Sequence, residues 1–238
     1  KQRASEWLAL AVAGIGLVLA LLLQFLKLPP LTFSHWQTPA LLAGGLSYRA
    51  DGLASGLVIA LVYISLIATF LLLASGKTSE EAQVPWGSGL LLAGAALSFI
   101  LSDSLLTLCF SWGLAEAIIL LTFARMGVIS NALKHGLWSP LIASLAGLVP
   151  VAALVAGGIE GNYQNLAGLS RGAPLVLALG ALVWMGAFPV HLWWPRRLEL
   201  RPALAPFLYY PPMTMGLYAL LRAGELEASA ISGQDLWL

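Results

Sequence analysis

The chain has 238 residues, of which 59% are hydrophobic and 10% charged, with a formal net charge of +1. A soluble domain carries about a quarter of its residues as charges, so this composition excludes one and points to an integral membrane protein. The near-zero net charge gives no reason to expect nucleic acid or an acidic partner, and the single cysteine, Cys109, excludes an intrachain disulfide.

In chain order, apolar stretches predict seven membrane-spanning helices over residues 7–26, 52–75, 84–101, 104–124, 137–156, 173–190 and 205–221. Each is close to the roughly 20 residues that carry a helix across a core of about 30 Å. None alternates with the period of two that a membrane barrel would need. The expected class is therefore all-α and polytopic, a single membrane domain over residues 1–238. Between the first two spans, residues 27–51 contain Pro29-Pro30 and the polar pairs Ser34-His35 and Gln37-Thr38, which predict an external loop or hairpin. The chain starts at Lys1 with no signal-peptide zones, and its natural N-terminus is expected upstream.

Lysine and arginine sort by side. The N-terminal side receives Lys1, Arg3, Lys77, Arg125, Lys134, Arg196, Arg197 and Arg201, and the other side Lys27, Arg49, Arg171 and Arg222. The positive-inside rule then predicts a cytoplasmic N-terminal side and an external tail over residues 223–238.

Ionisable groups at membrane depth are costly and are functional-site candidates by default. Glu116 lies near the middle of the fourth span, roughly 20 Å along the axis from Asp103. It is a candidate proton or cation relay, against the plainer reading of a protonated glutamate bonded to a neighbouring helix. His191, at the end of the sixth span, has an imidazole that titrates near neutral pH and is a candidate link to the aqueous phase. Trp193 and Trp194 beside it read most simply as interfacial anchors. Pro211 and Pro212 fall inside the last span, where prolines free backbone carbonyls and are expected to break the helix, as in helices that line ion pathways, with a plain packing kink as the alternative.

Residues 49–222 resemble the antiporter-like membrane subunits shared by respiratory complex I, membrane-bound hydrogenases and multisubunit sodium/proton antiporters. The resemblance rests on Asp51-Gly52-Leu53-Ala54-Ser55, on Ser104 to Trp112, and most of all on Phe188-Pro189-Val190-His191-Leu192-Trp193-Trp194-Pro195. Pro202, the run Met213 to Tyr218 and Arg222 follow in the family's order. It implies one five-helix repeat with a broken helix, a membrane subunit of a proton- or sodium-translocating complex, and other integral membrane subunits as partners. It also implies a bacterial-type inner or plasma membrane, or a thylakoid, and relatives that include redox-driven translocases. No cofactor and no catalytic site of its own are expected, since the chain has no iron–sulfur cysteine set and no nucleotide loop.

The chain departs from the pattern where the family's chemistry is carried. Gly113 stands where a glutamate should follow the tryptophan, with Glu116 three residues later; Trp184 stands at the membrane lysine; Tyr209 and Thr214 stand where relatives often hold a histidine or lysine. The ion path is therefore expected to be degenerate. A scaffold that holds neighbouring subunits without moving ions is the main alternative, and a component of an inorganic-carbon or other solute uptake complex is another. A second repeat is expected beyond Leu238 or on a separate chain.

Overall fold

The computed structural model describes residues 2–26, 29–33, 46–74, 83–125, 178–182, 184–185 and 205–234. Within them run α1 (Gln2–Phe25), β1 (Leu31–Phe33), β2 (Leu46–Tyr48), α2 (Gly52–Ala74), α3 (Gln83–Ile100), α4 (Leu105–Arg125) and α5 (Ala205–Gln234). Residues 178–182 and Trp184 are also helical. The span expected over residues 137–156 lies outside the described residues.

Among the described residues two helical stretches, Trp7–Phe25 and Gly52–Leu71, are long and apolar enough to cross a membrane, while the apolar parts of α3 and α4, Gly87–Ile100 and Leu106–Thr122, are shorter. Local chemistry fixes where helices begin. Asp51 caps α2: its Oδ1 accepts the Ala54 amide at 2.8 Å, and its carbonyl accepts the Ser55 amide at 2.8 Å. Ser104 does the same for α4, accepting the Thr107 amide at its Oγ (3.2 Å) and the Leu108 amide at its carbonyl (3.0 Å). Pro85 and Pro206 sit in the first turns of α3 and α5, where the missing N–H costs nothing. Hydroxyls further along are satisfied on the preceding turn, as with Ser65 on Leu61, Thr69 on Ser65 and Thr122 on Ile118.

Two expectations need correction. The described residues are mostly helical rather than wholly so: β1 and β2 pair antiparallel, Leu31 opposite Tyr48 and Phe33 opposite Leu46, in the segment where a loop or hairpin was expected. The hairpin is stitched to the turn between α3 and α4, with Arg49 N donating to Leu101 O (2.7 Å) and Asp103 N to Ser47 O (2.9 Å). The last helix is not broken at Pro211 and Pro212 either. α5 runs unbroken through both prolines, past residue 221, to Gln234. Each proline removes one amide donor and its ring crowds the carbonyl four residues back, costs that packing against neighbouring helices offsets here. Both prolines are buried.

The core forms where α3 packs between α4 and α5, with α2 against α5 and α1 laid on α2. One contiguous apolar cluster runs through it, including Leu61, Phe99, Leu108, Trp112, Ala115, Trp184, Met215 and Tyr218.

Candidate functional site

Trp112, Phe99, Trp184 and Tyr218 come from four separate stretches of sequence and form one aromatic column. Trp184 meets Trp112 edge to face at 5.4 Å between ring centroids, Trp112 meets Phe99 at 5.7 Å, and Phe99 meets Tyr218 at 5.9 Å. These are favourable quadrupole geometries. Trp184 is 5% exposed and Trp112 2%. Trp112 and Trp184 pack against Met215, Gly216 and Ala219 with no room for a water molecule between them. At the position where the resemblance calls for a lysine, the side chain is thus a packed core residue. Gly216 makes that packing reachable: a Cβ there would lie 2.7 Å from the Ala181 carbonyl and 2.9 Å from the Met185 amide.

Beyond Tyr218 the column meets charge. The Arg222 guanidinium lies over the Tyr218 ring at 5.1 Å, its Nε donates to Tyr218 Oη at 3.1 Å, and Nη1 donates to Glu225 at 2.7 Å. Its Nη2 is paired with Asp51 Oδ2. Tyr218 Oη in turn donates to the Ser102 carbonyl at 3.5 Å. This clamp joins α5 to the start of α2 and to the α3–α4 turn. Partial burial alone would raise the Asp51 carboxyl, but the Ala54 amide, Arg222 and the nearby Arg49 together hold it below the usual carboxylate range. The sequence marked Asp51 and Arg222 only as motif positions; the fold pairs them across the chain.

Glu116 is half-buried on α4. Successive residues turn by about 100°, so the buried line Leu108, Trp112, Ala115 and Ile119 leaves Glu116 at the flank of the core and outside the aromatic column. Thr214 is buried, and its hydroxyl donates to the Tyr210 carbonyl at 2.7 Å, which gives it a backbone partner inside its own helix. Tyr209, on the same helix, is half-buried. His191 lies outside the described residues, as do Phe188, Pro189, Trp193, Trp194, Pro195 and Pro202. The structure therefore joins Asp51, Trp184 and Arg222 into one connected assembly, and leaves Glu116 to one side.

A second arrangement escaped the sequence reading. Tyr48 Oη lies 3.2 Å from Ser98 Oγ, which lies 2.6 Å from Ser111 Oγ. Next to this chain, Thr107 Oγ1 accepts the Ser47 amide at 2.9 Å and sits 2.8 Å from Ser104 Oγ. Ser104, Thr107 and Ser111 follow one another at helical spacing and are all buried. That spacing was the available signal, and it was hidden by the apolar residues around it.

No family model matches the chain. It is similar to a probable K(+)/H(+) antiporter subunit of Rhizobium meliloti (strain 1021), with 27% identity over 208 residues, 79% of this chain and 20% of that protein. The chain thus spans about a fifth of the length of this relative.

Proposed function

We propose that the chain is part of a membrane subunit of a multisubunit monovalent cation/proton antiport assembly, with its N-terminal side in the cytoplasm and other integral membrane subunits as partners. Support comes from the two helices of membrane-spanning length and from the similarity to a probable K(+)/H(+) antiporter subunit. Within this assembly the path through the Trp184 position is degenerate. The observation that carries this point is the seated indole: Trp184 packed on Trp112 leaves neither a titratable group nor space for water. Proton movement is then left to polar groups on other faces of α4, with Glu116 as the carboxyl at membrane depth. A carboxyl there serves as a relay by binding and releasing a proton as it meets alternate surroundings.

The test is Glu116→Gln in the intact assembly, with cation-driven proton movement followed in membrane vesicles. A relay role requires that movement to fall at unchanged assembly, and full activity in the variant overturns it. A non-transporting scaffold is the second reading, favoured by the same aromatic column, which binds α3, α4, α5 and the segment of residues 178–185 together. On that reading Glu116→Gln is silent, and deletion of the chain abolishes assembly of neighbouring subunits.

A further inference from the structure

One side of α2 is bare. Its buried residues Ala54, Val58, Leu61, Ala68 and Thr69 turn toward the core, and Val62 lies against Gly16 of α1. Gly52, Gly56, Tyr63, Ile67 and Phe70 are exposed, and at about 100° per residue they fall within an arc of about 60° on the opposite side. A Cβ added at Gly52 or Gly56 would meet nothing within 4 Å, so neither glycine serves a close contact among the described residues. Two glycines four residues apart on an apolar helix let a second helix backbone approach closely.

Tyr63 stands on the same line and is the middle residue of the 23-residue α2. Its hydroxyl is therefore about 15 Å from either edge of the hydrocarbon core, beyond the reach of its side chain. Tyrosines that face lipid collect at the interface, where the ring is apolar and the hydroxyl wet. Tyr63 is 53% exposed, and its hydroxyl has no hydrogen-bond partner among the described residues. At mid-depth no water can take that proton, and an unpaired O–H in hydrocarbon is costly. From this geometry we infer that the bare side of α2 is a docking face for a membrane helix from outside this chain, packed closely at Gly52 and Gly56 and offering a hydrogen-bond acceptor to Tyr63 Oη. Close packing and one polar bond are the two forces that join helices in lipid. A second copy of the chain fits less well, because two-fold pairing of α2 would set phenol against phenol, with one bond shared and one O–H left over. The chain spans about a fifth of the length of its relative, so most of such a protein is available to supply the helix.

The docking face rests on the reading of the chain as part of a multisubunit membrane assembly, and its test uses that intact assembly. A diazirine photocrosslinking residue is placed at position 67, on the same face and clear of the glycines. Illumination in membranes should join it to a membrane helix of the assembly outside this chain. That helix should carry an Asn, Gln, Ser, Thr, His or carboxylate side chain within about one turn of the level of Tyr63. Gly56→Leu fills the close approach and should lower the product about tenfold or more, while Gly14→Leu, on an open face of α1, should leave it unchanged. Tyr63→Phe removes one oxygen and should weaken retention of the partner helix in detergent by about threefold to tenfold, the range of a single interhelical hydrogen bond. The amount of chain in the membrane should be the same in every variant, since Gly56 and Tyr63 Oη support no contact among the described residues. Products that join two copies of the chain, or join lipid alone, while other membrane subunits copurify overturn the docking face only. An assembly from which no other membrane subunit copurifies overturns the docking face and the assembly reading together.

Discussion

α1 and α4 are both apolar helices, yet they hold their neighbours by different means. α1 meets α2 through small residues, Ala9, Ala13, Gly16 and Ala20, while its other faces carry exposed Trp7, Leu8, Ile15, Val18, Leu19 and Phe25. α4 meets α3 and the segment around Trp184 through rings and hydroxyls, and α5 is locked to the same core by the Asp51–Arg222 clamp. In lipid, apolar burial does not by itself drive helices together, and association depends on close packing and on polar bonds. The α1–α2 contact uses the first alone. The contacts among α3, α4 and α5 use both.

Trp112→Ala should have the largest effect, because it empties a fully packed position and strips a ring partner from both Phe99 and Trp184. A cost of about 3–5 kcal/mol is expected, read as a drop in the midpoint of thermal unfolding of the detergent-solubilised assembly. Trp112→Phe separates shape from polarity. The Trp112 Nε1 is buried without a hydrogen-bond partner among the described residues, so the phenylalanine loses volume and no such bond, and should cost clearly less than alanine.

Gly216→Ala comes next, at about 2–3 kcal/mol, since the added methyl meets backbone atoms of Ala181 and Met185 that cannot swing aside. Helix propensity works the other way by roughly 1 kcal/mol, so a net stabilisation by alanine would show that this helix contact is looser than these close approaches require.

Arg222→Ala removes one side of a partly buried pair, with Arg222 16% and Asp51 30% exposed. The cost should lie between that of exposed and buried pairs, about 1–2 kcal/mol. Its pH dependence has a definite sign. The folded carboxyl is held below the unfolded value of about 3.9, so Asp51 contributes its stabilisation above that pH and loses it as pH falls through the lower folded value. The gap between wild type and Arg222→Ala should therefore close in acid, and a gap that persists there would assign the effect to the Tyr218 contacts instead.

Much of this frame was legible in the residues, for local reasons. α2 begins at Gly52, the first residue of the predicted span, because Asp51 is a cap, and the hairpin follows from a polar, proline-marked break between apolar runs. What escaped reading is long-range. That Trp184 fills the core is fixed by a contact 72 positions away in sequence, at Trp112, and no local pattern records it. The hydroxyls of Ser98 and Ser111 looked like the many serines and threonines that bond their own helix backbone, as Thr122 does. Pro211 and Pro212 misled in the opposite sense, since their local rule predicts a break and tertiary packing carries the helix through.

The smallest expected effect tests the α1 side of the comparison. A Cβ on Gly16 would lie 3.4 Å from Val62 Cγ1, at ordinary contact, and one on Gly14 would meet nothing within 4 Å. Alanine at either site gains helix propensity of up to about 1 kcal/mol and meets at most an ordinary contact, so both Gly14→Ala and Gly16→Ala should stabilise. Leucine separates the two sites. At position 14 it adds apolar surface to an open face and should be tolerated, whereas at position 16 it must displace Val62 and push α1 off α2, at about 1–3 kcal/mol. Protease accessibility of α1 in vesicles reads the difference. If leucine at 16 is tolerated as well as at 14, the small-residue face does not hold α1, and the helix is kept in place by the bilayer alone.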